Sequence, residues 1–368
     1  MRVYHGTYGG NGQASQVITH GGGFQAKLYF VGQYPSASNN QYRWLTGSFS
    51  GNNHGDFLTT GSGFSNNGQL RAFTPTTFTV AGGFNTNGVT YYYTALSVDE
   101  ASLRVGYYAG DGSSPRNITC GAGSWTPDWV YIVTTETGKM NVHWPQPIAA
   151  YDSNLSGNPM ASANWTANYV RGTHADGFIV GANLNTSGQG YYWFALKNST
   201  GNVHVNKYTG TGADNRNVVM PDPFQPTKLI MMGRWTGSST IISERFRDHS
   251  CVGDQSHQFG AMGAVPQSNQ IQEFNANGFQ VGTAQSINAN GSEWYYLAFR
   301  DHDPNEYFSF DLPSHARALR NFYPVICSFA RKTTPLTLQS LPLPFGMVGL
   351  EVLLLCLHRR ERRRNLMF

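Results

Sequence analysis

The sequence predicts an all-β fold: three tandem β-sandwich or jelly-roll-like units of about 100 residues, then a non-repeating tail carrying a short helix. Three observations carry this prediction. One motif returns at a spacing of 100 residues, at Tyr8, Tyr108 and Tyr208. Aromatic residues make up 14% of the chain against 12% charged, which favours packed strands over disorder. The 42 glycines, with many Asn, Ser and Thr, mark frequent turns. The expected units are 1–100, 101–201 and 202–310, with the tail at 311–368.

Each unit opens on Tyr-x-Gly-x-Gly: Tyr8, Gly10 and Gly12; Tyr108, Gly110 and Gly112; Tyr208, Gly210 and Gly212. Glycine supplies the positive φ or the close backbone approach of a tight turn. Gln16, Arg116 and Arg216 follow, then the β-branched Ile18, Ile118 and Val218. An aromatic residue, Phe24, Trp125 or Phe224, leads into an apolar strand at 28–31, 129–133 or 229–232. In the second half, Phe78-Thr79-Val80 matches Phe178-Ile179-Val180 and Phe279-Gln280-Val281. An Asn/Gly-rich turn then precedes a closing aromatic strand, whose alanine recurs at Ala95, Ala195 and Ala298.

Short aromatic and β-branched runs between Gly and Asn clusters are strand signals. No stretch before residue 300 holds a 3.6-residue apolar period. Beads on a string and lobes around a common axis both fit this pattern. The regions 46–68, 151–173 and 244–270 differ most between units and are expected to be long loops. Trp44, Trp144 and Trp235 stand near their starts, and Trp165 lies inside the second.

Charge excludes one class of partner. The net charge of +4 comes from residues 358–364, which hold five Arg and one Glu; the rest of the chain has 20 basic and 20 acidic residues. A nucleic-acid partner is therefore not expected. Cys120, Cys251, Cys327 and Cys356 form no metal or disulfide spacing, and Cys120 aligns with His20 and Met220. No cofactor or metal is expected. Met1 leads directly into the first unit without a basic and apolar leader, so no secretory signal is expected.

Several residues admit a chemical reading and a structural one. The Gly-x-Gly turn lacks the third glycine, the helix and the lysine of a phosphate loop. Asp111 in Gly-Asp-Gly resembles part of a calcium loop, but Asn11 and Thr211 replace it in the sister units. Arg116 and Arg216 would suit an anion, yet Gln16 takes the first position, which favours a turn contact. Asp301, His302 and Asp303 form a polar turn after the last strand. No Gly-x-Ser-x-Gly occurs and no carboxylate recurs in all three units, so no enzyme activity is expected. Strand alternation sets Tyr191, Trp193 and Ala195 on one face and Tyr192, Phe194 and Leu196 on the other. The first set could stack on a sugar; a central strand buried on both faces is the preferred reading. The candidate ligand-binding residues are accordingly Trp165, Trp44, Trp144 and Trp235, and the Tyr and Gly positions form a structural signature.

The order of these motifs is similar to repeats in virion and tail-associated proteins of marine bacteriophages. The match spans nearly all of 1–310 and is best at Gly110, Gly112, Trp125, Pro127, Asp128 and Trp129, and at Phe224, Gln225 and Pro226; Ala26 departs where Pro is expected. The resemblance implies a non-enzymatic structural protein of the virion or phage tail. Its implied partners are other virion or tail proteins, or host-surface glycans.

The tail resembles the bacterial C-terminal sorting signals of the PEP-CTERM type. Leu341-Pro342-Leu343-Pro344 precedes an apolar run at 345–357 and the Arg cluster. A helix is expected at 345–357, and membrane contact only through 341–364. Read-through into unrelated sequence is the rival explanation. A bacterial surface or secreted adhesion and carbohydrate-binding protein is the second functional expectation, and a carbohydrate-active enzyme the third. Because its composition breaks from the repeats, removing 312–368 is expected to leave the melting temperature of the remaining chain nearly unchanged, as checked by differential scanning calorimetry.

Overall fold

In the computed structural model the described residues are 3–22, 24, 26–33, 42–46, 70–73, 76–97, 101–121, 123–134, 142–146, 155–158, 164–167, 169–198, 202–234, 241–248, 251, 253–258 and 267–300. The expected tail helix, Trp235 and the Asp301, His302, Asp303 turn lie outside them. The protein is mostly β.

Residues 3–97 supply β1 (Val3–Gly9), β2 (Gln16–Thr19), β3 (Ala26–Gln33), β4 (Tyr42–Thr46), β5 (Leu70–Phe73), β6 (Thr77–Val80) and β7 (Thr90–Ser97). Residues 103–196 supply β8 (Leu103–Ala109), β9 (Arg116–Thr119), β10 (Trp129–Thr134), β11 (Val142–Pro145), β12 (Leu155–Asn158), β13 (Asn164–Ala167), β14 (Val170–His174), β15 (Gly177–Val180) and β16 (Gly190–Leu196). Residues 203–299 supply β17 (Val203–Thr209), β18 (Arg216–Val219), β19 (Lys228–Arg234), β20 (Ile241–Arg247), β21 (His257–Gln258), β22 (Ile271–Asn275), β23 (Gly278–Val281), the single-turn α1 (Gln285–Asn288) and β24 (Glu293–Phe299).

Each stretch forms one larger antiparallel sheet and one three-stranded sheet. The larger sheets run β1-β7-β3-β4, β8-β16-β10-β11-β12-β13 and β17-β24-β19-β20-β21. The smaller run β2-β6-β5, β9-β15-β14 and β18-β23-β22. The two sheets of a stretch pack as a sandwich through a phenylalanine at the same place. Phe78 meets Tyr29 at 4.7 Å and Tyr93 at 5.1 Å. Phe178 meets Trp193 at 5.5 Å, and Phe279 meets Tyr296 at 5.1 Å.

Alternation along the central strands has a consequence beyond the sandwich. Leu229 and Met231 of β19, with Trp294, Tyr296 and Ala298 of β24, lie in the third sandwich's own core. Their neighbours Ile230, Met232, Tyr295, Leu297 and Phe299 belong to a second core, shared with the first two stretches. Phe30 meets Phe194 edge-on at 6.1 Å. Lys228 Nζ sits 5.3 Å from the centre of the same Phe30 ring. The Asn198 side chain accepts from Val205 N–H at 2.6 Å and donates to Val205 O at 3.3 Å. These contacts join the stretches pairwise, and residues 1–302 form one compact unit rather than separate beads.

The preferred reading of the closing strand holds, since the Tyr191, Trp193, Ala195 face is sandwich interior. Two expectations change here. The region 151–173 is not simply a loop: β12 and β13 add a hairpin to the edge of the second large sheet. Trp165 therefore lies on an edge strand, paired with Gly157. The tryptophans near the starts of the variable regions are not equivalent either. Trp44 pairs with Phe30 in β3, whereas Trp144 pairs one position earlier in the corresponding strand, with Val130. Among the described residues no helix is long and apolar enough to cross a membrane.

Candidate functional site

The recurring turn is the first site to weigh, because its residues return in every stretch. Tyr8, Tyr108 and Tyr208 each occupy the last position but one of the opening strand. Their hydroxyls donate to the carbonyls of Phe84, Leu184 and Ile287 at 2.9, 2.7 and 2.5 Å. A buried asparagine follows each of those carbonyls. Asn85, Asn185 and Asn288 accept from the backbone N–H of Asn11, Asp111 and Thr211 through Oδ1. Their Nδ2 groups donate to the carbonyls of Gln13, Ser113 and Ala213.

The arginines complete the same turn. Arg116 Nη1 donates to Ala109 O at 2.5 Å and to Asn185 Oδ1 at 2.9 Å. Arg216 Nη1 donates to Thr209 O and to Asn288 Oδ1. Gln16 Nε2 serves the matching Gly9 O at 3.1 Å. The Arg116 and Arg216 guanidinium groups also lie over the Tyr108 and Tyr208 rings, at 5.4 and 5.1 Å. Asp111 is held down at about 2 by hydrogen bonds from Ser113 and Asn185, with Arg116 beside it at 3.2 Å. Its carboxylate is thus committed to the turn. This network organises the fold.

Of the predicted ligand-binding residues, Trp144 is fully buried and is core. Trp44 and Trp165 are strand residues, and Trp235 lies outside the described residues. The structure does not gather the four into one site. Cys120 is buried with His20 and Met220 at matching positions, and burial pushes its thiol up to about 12.

A charged cluster in the third stretch escaped the sequence reading. Lys228 pairs with Phe299 in β24, the place held by Leu28 opposite Leu96 and by Trp129 opposite Leu196. A cation thus stands where the sister stretches bury large apolar side chains. That substitution, just before the apolar run at 229–232, was the available signal. Lys228 Nζ donates to Asp248 Oδ2 at 2.8 Å, with side-chain exposures of 0% and 2%. Phe30 and Phe246 flank the ammonium at 5.3 and 5.2 Å. Arg247 draws the following loop back, donating to the carbonyls of Gly253, Gln255 and Ile271. The returning chain brings His257, whose ring stacks on Phe246 at 4.7 Å. Burial lowers the Lys228 proton affinity against the pull of Asp248, and it lowers the His257 pKa from 6.5 to about 4.

Two expected outcomes follow from this geometry. At Gly110 an added Cβ would stand 2.0 Å from Thr186 O, a backbone atom that cannot step aside. Gly110→Ala should cost on the order of 3 kcal/mol or more. Gly112→Ala, with a positive φ but a nearest neighbour at 3.7 Å, should cost only about 1–2 kcal/mol. Urea unfolding of both variants tests the ordering.

The second outcome concerns acid. Between pH 6.5 and about 4 the unfolded chain protonates His257 while the folded chain does not, so stability falls as pH drops through that window. At about 1.4 kcal/mol per unit the contribution is on the order of 3 kcal/mol. His257→Phe should flatten that part of the stability–pH curve, as read by urea unfolding across the window.

No protein-family model matches the chain, and a search of curated proteins finds no match. The reading of its function therefore rests on its own residues.

Proposed function

We propose that the chain is a non-enzymatic structural and display protein of a phage virion or tail. On this reading it consists of three tandem β-sandwich units fused on a shared core, and it offers its variable edges to other virion proteins or to host-surface glycans. One observation carries the reading. The tyrosine, asparagine and glycine of the turn return three times with the same hydrogen bonds, so the recurring polar residues serve the scaffold. What varies lies at the sheet edges, where among the described residues the larger sheets have four, six and five strands. A scaffold repeated in this way, with non-equivalent edges, suits attachment better than catalysis.

Mass spectrometry of purified particles from a strain carrying the gene tests the location. The protein should co-purify with tail components; its recovery only from the cell envelope would favour the surface-adhesin alternative. A glycan array with the full chain and Trp165→Ala tests binding at the β13 edge. Binding lost with unchanged melting supports a glycan site there. Binding unchanged in the variant removes Trp165 from the site, and an array with no hits at all removes the glycan partner.

A further inference from the structure

The Lys228–Asp248 pair is unusual for its setting. The two residues lie one position beyond the paired Leu229 and Arg247, directly across adjacent antiparallel strands. Their charged atoms are 2.8 Å apart with almost no solvent access. Two phenyl rings from different parts of the chain, Phe30 and Phe246, close over the ammonium. Burying two ions costs more than their attraction returns unless every remaining polar atom is matched. The sister stretches show that the position accepts Leu or Trp. A retained amine and carboxyl at contact distance, in a dry aromatic pocket, have another outcome available to them.

We propose that Lys228 and Asp248 condense into an intramolecular isopeptide bond, Nζ to Cγ, with release of one water. The atoms balance without a further reagent. A proton passes from the Lys228 ammonium to the Asp248 carboxylate, giving a neutral amine and a neutral acid. The nitrogen lone pair attacks Cγ and forms the C–N bond. A second proton leaves nitrogen for the departing hydroxyl, the Cγ–O bond breaks, and water is lost. The product is a neutral amide, which the pocket holds at far lower desolvation cost than two ions.

Each condition for this step has a residue behind it. The 2.8 Å contact between Nζ and Oδ2 holds the amine against the carboxyl group it would attack. Burial lowers the proton affinity of Lys228, which frees the lone pair. His257 backs the pocket by stacking on the Phe246 ring at 4.7 Å. Phe30 belongs to the first stretch, so the pocket closes only when that stretch has docked. The bond would form after folding and fix β19 to the end of β20.

Intact-mass measurement of the purified, denatured full-length chain is the test. The chain is expected to be one water lighter than its sequence mass, and tryptic digestion should yield a branched peptide joining Lys228 to Asp248, with no cleavage after Lys228. Lys228→Met and Asp248→Ala should each return to the full sequence mass. Methionine resembles the apolar residues of the sister positions, so Lys228→Met is expected to fold, as checked by circular dichroism. Full sequence mass in the wild type, with trypsin cutting after Lys228, overturns the proposal. So does a water loss that persists in Lys228→Met, which would place the modification elsewhere. The wild-type digest decides the matter even if a variant fails to fold.

Discussion

The central strand of each larger sheet is buried on both faces along most of its length, with solvent contact kept only near its start, at Thr90 and Tyr92, Tyr192, and Glu293. Tyr91, Tyr93 and Ala95 of β7, Tyr191, Trp193 and Ala195 of β16, and Trp294, Tyr296 and Ala298 of β24 fill the sandwich interiors. Leu96 of β7, Phe194 and Leu196 of β16, and Leu297 and Phe299 of β24 fill the core that the stretches share. A fully buried side chain of this size contributes about 1.5–3 kcal/mol, so double burial is the main source of cohesion. It also sets a constraint on what surrounds it. Backbone groups near such strands are cut off from water and must be matched within the chain. The tyrosine hydroxyls and the buried asparagines do that matching, which explains why the turn residues recur while surface residues do not. Gly110 belongs to the same logic, since the asparagine-bearing turn packs against backbone that has no room for Cβ.

Much of this was legible in the sequence, for a physical reason. A strand buried on two sides is apolar or aromatic at most positions, and a turn locked by three hydrogen-bonding residues must repeat them, so both leave strong marks. Tyr108, Gly110, Phe178 and Ala195 could be aligned with their sisters by eye. The identity of the two faces could not. Alternation separates Tyr191 from Tyr192, but it cannot say that one face meets the strand's own small sheet and the other a different stretch. The beads-or-lobes choice depended on that distinction.

The candidate site was less legible. Trp144 is core although it was a candidate ligand-binding residue, because a rigid ring in a sequence looks alike whether it is buried or exposed. Trp144 and Trp44 also differ by one position of register, which their shared place near the start of a variable region does not reveal. The charged cluster was missed for a different reason. Lys228 is a single residue at the border of an apolar run, and its partner Asp248 is twenty residues away. Only the β19–β20 register places them together. Arg247 gave no signal either, because its role is to pin a loop by donating to three carbonyls, and carbonyls are invisible in a sequence.

The location of that cluster bears on how the fold is held. Phe30 takes part in two joints at once: it meets Phe194 of β16 and caps the Lys228 ammonium of β19. The shared core is therefore not uniform. Between the first and second stretches it is aromatic against aromatic, while between the first and third it carries a buried charge, or its condensation product. An apolar contact can slide among similar neighbours, whereas a lysine that must meet one aspartate between two rings has a single acceptable arrangement. In a chain whose three stretches present similar apolar faces, a feature of this kind gives the third stretch a fixed place. Specificity of packing, rather than net stability, is what a buried lysine at that position adds.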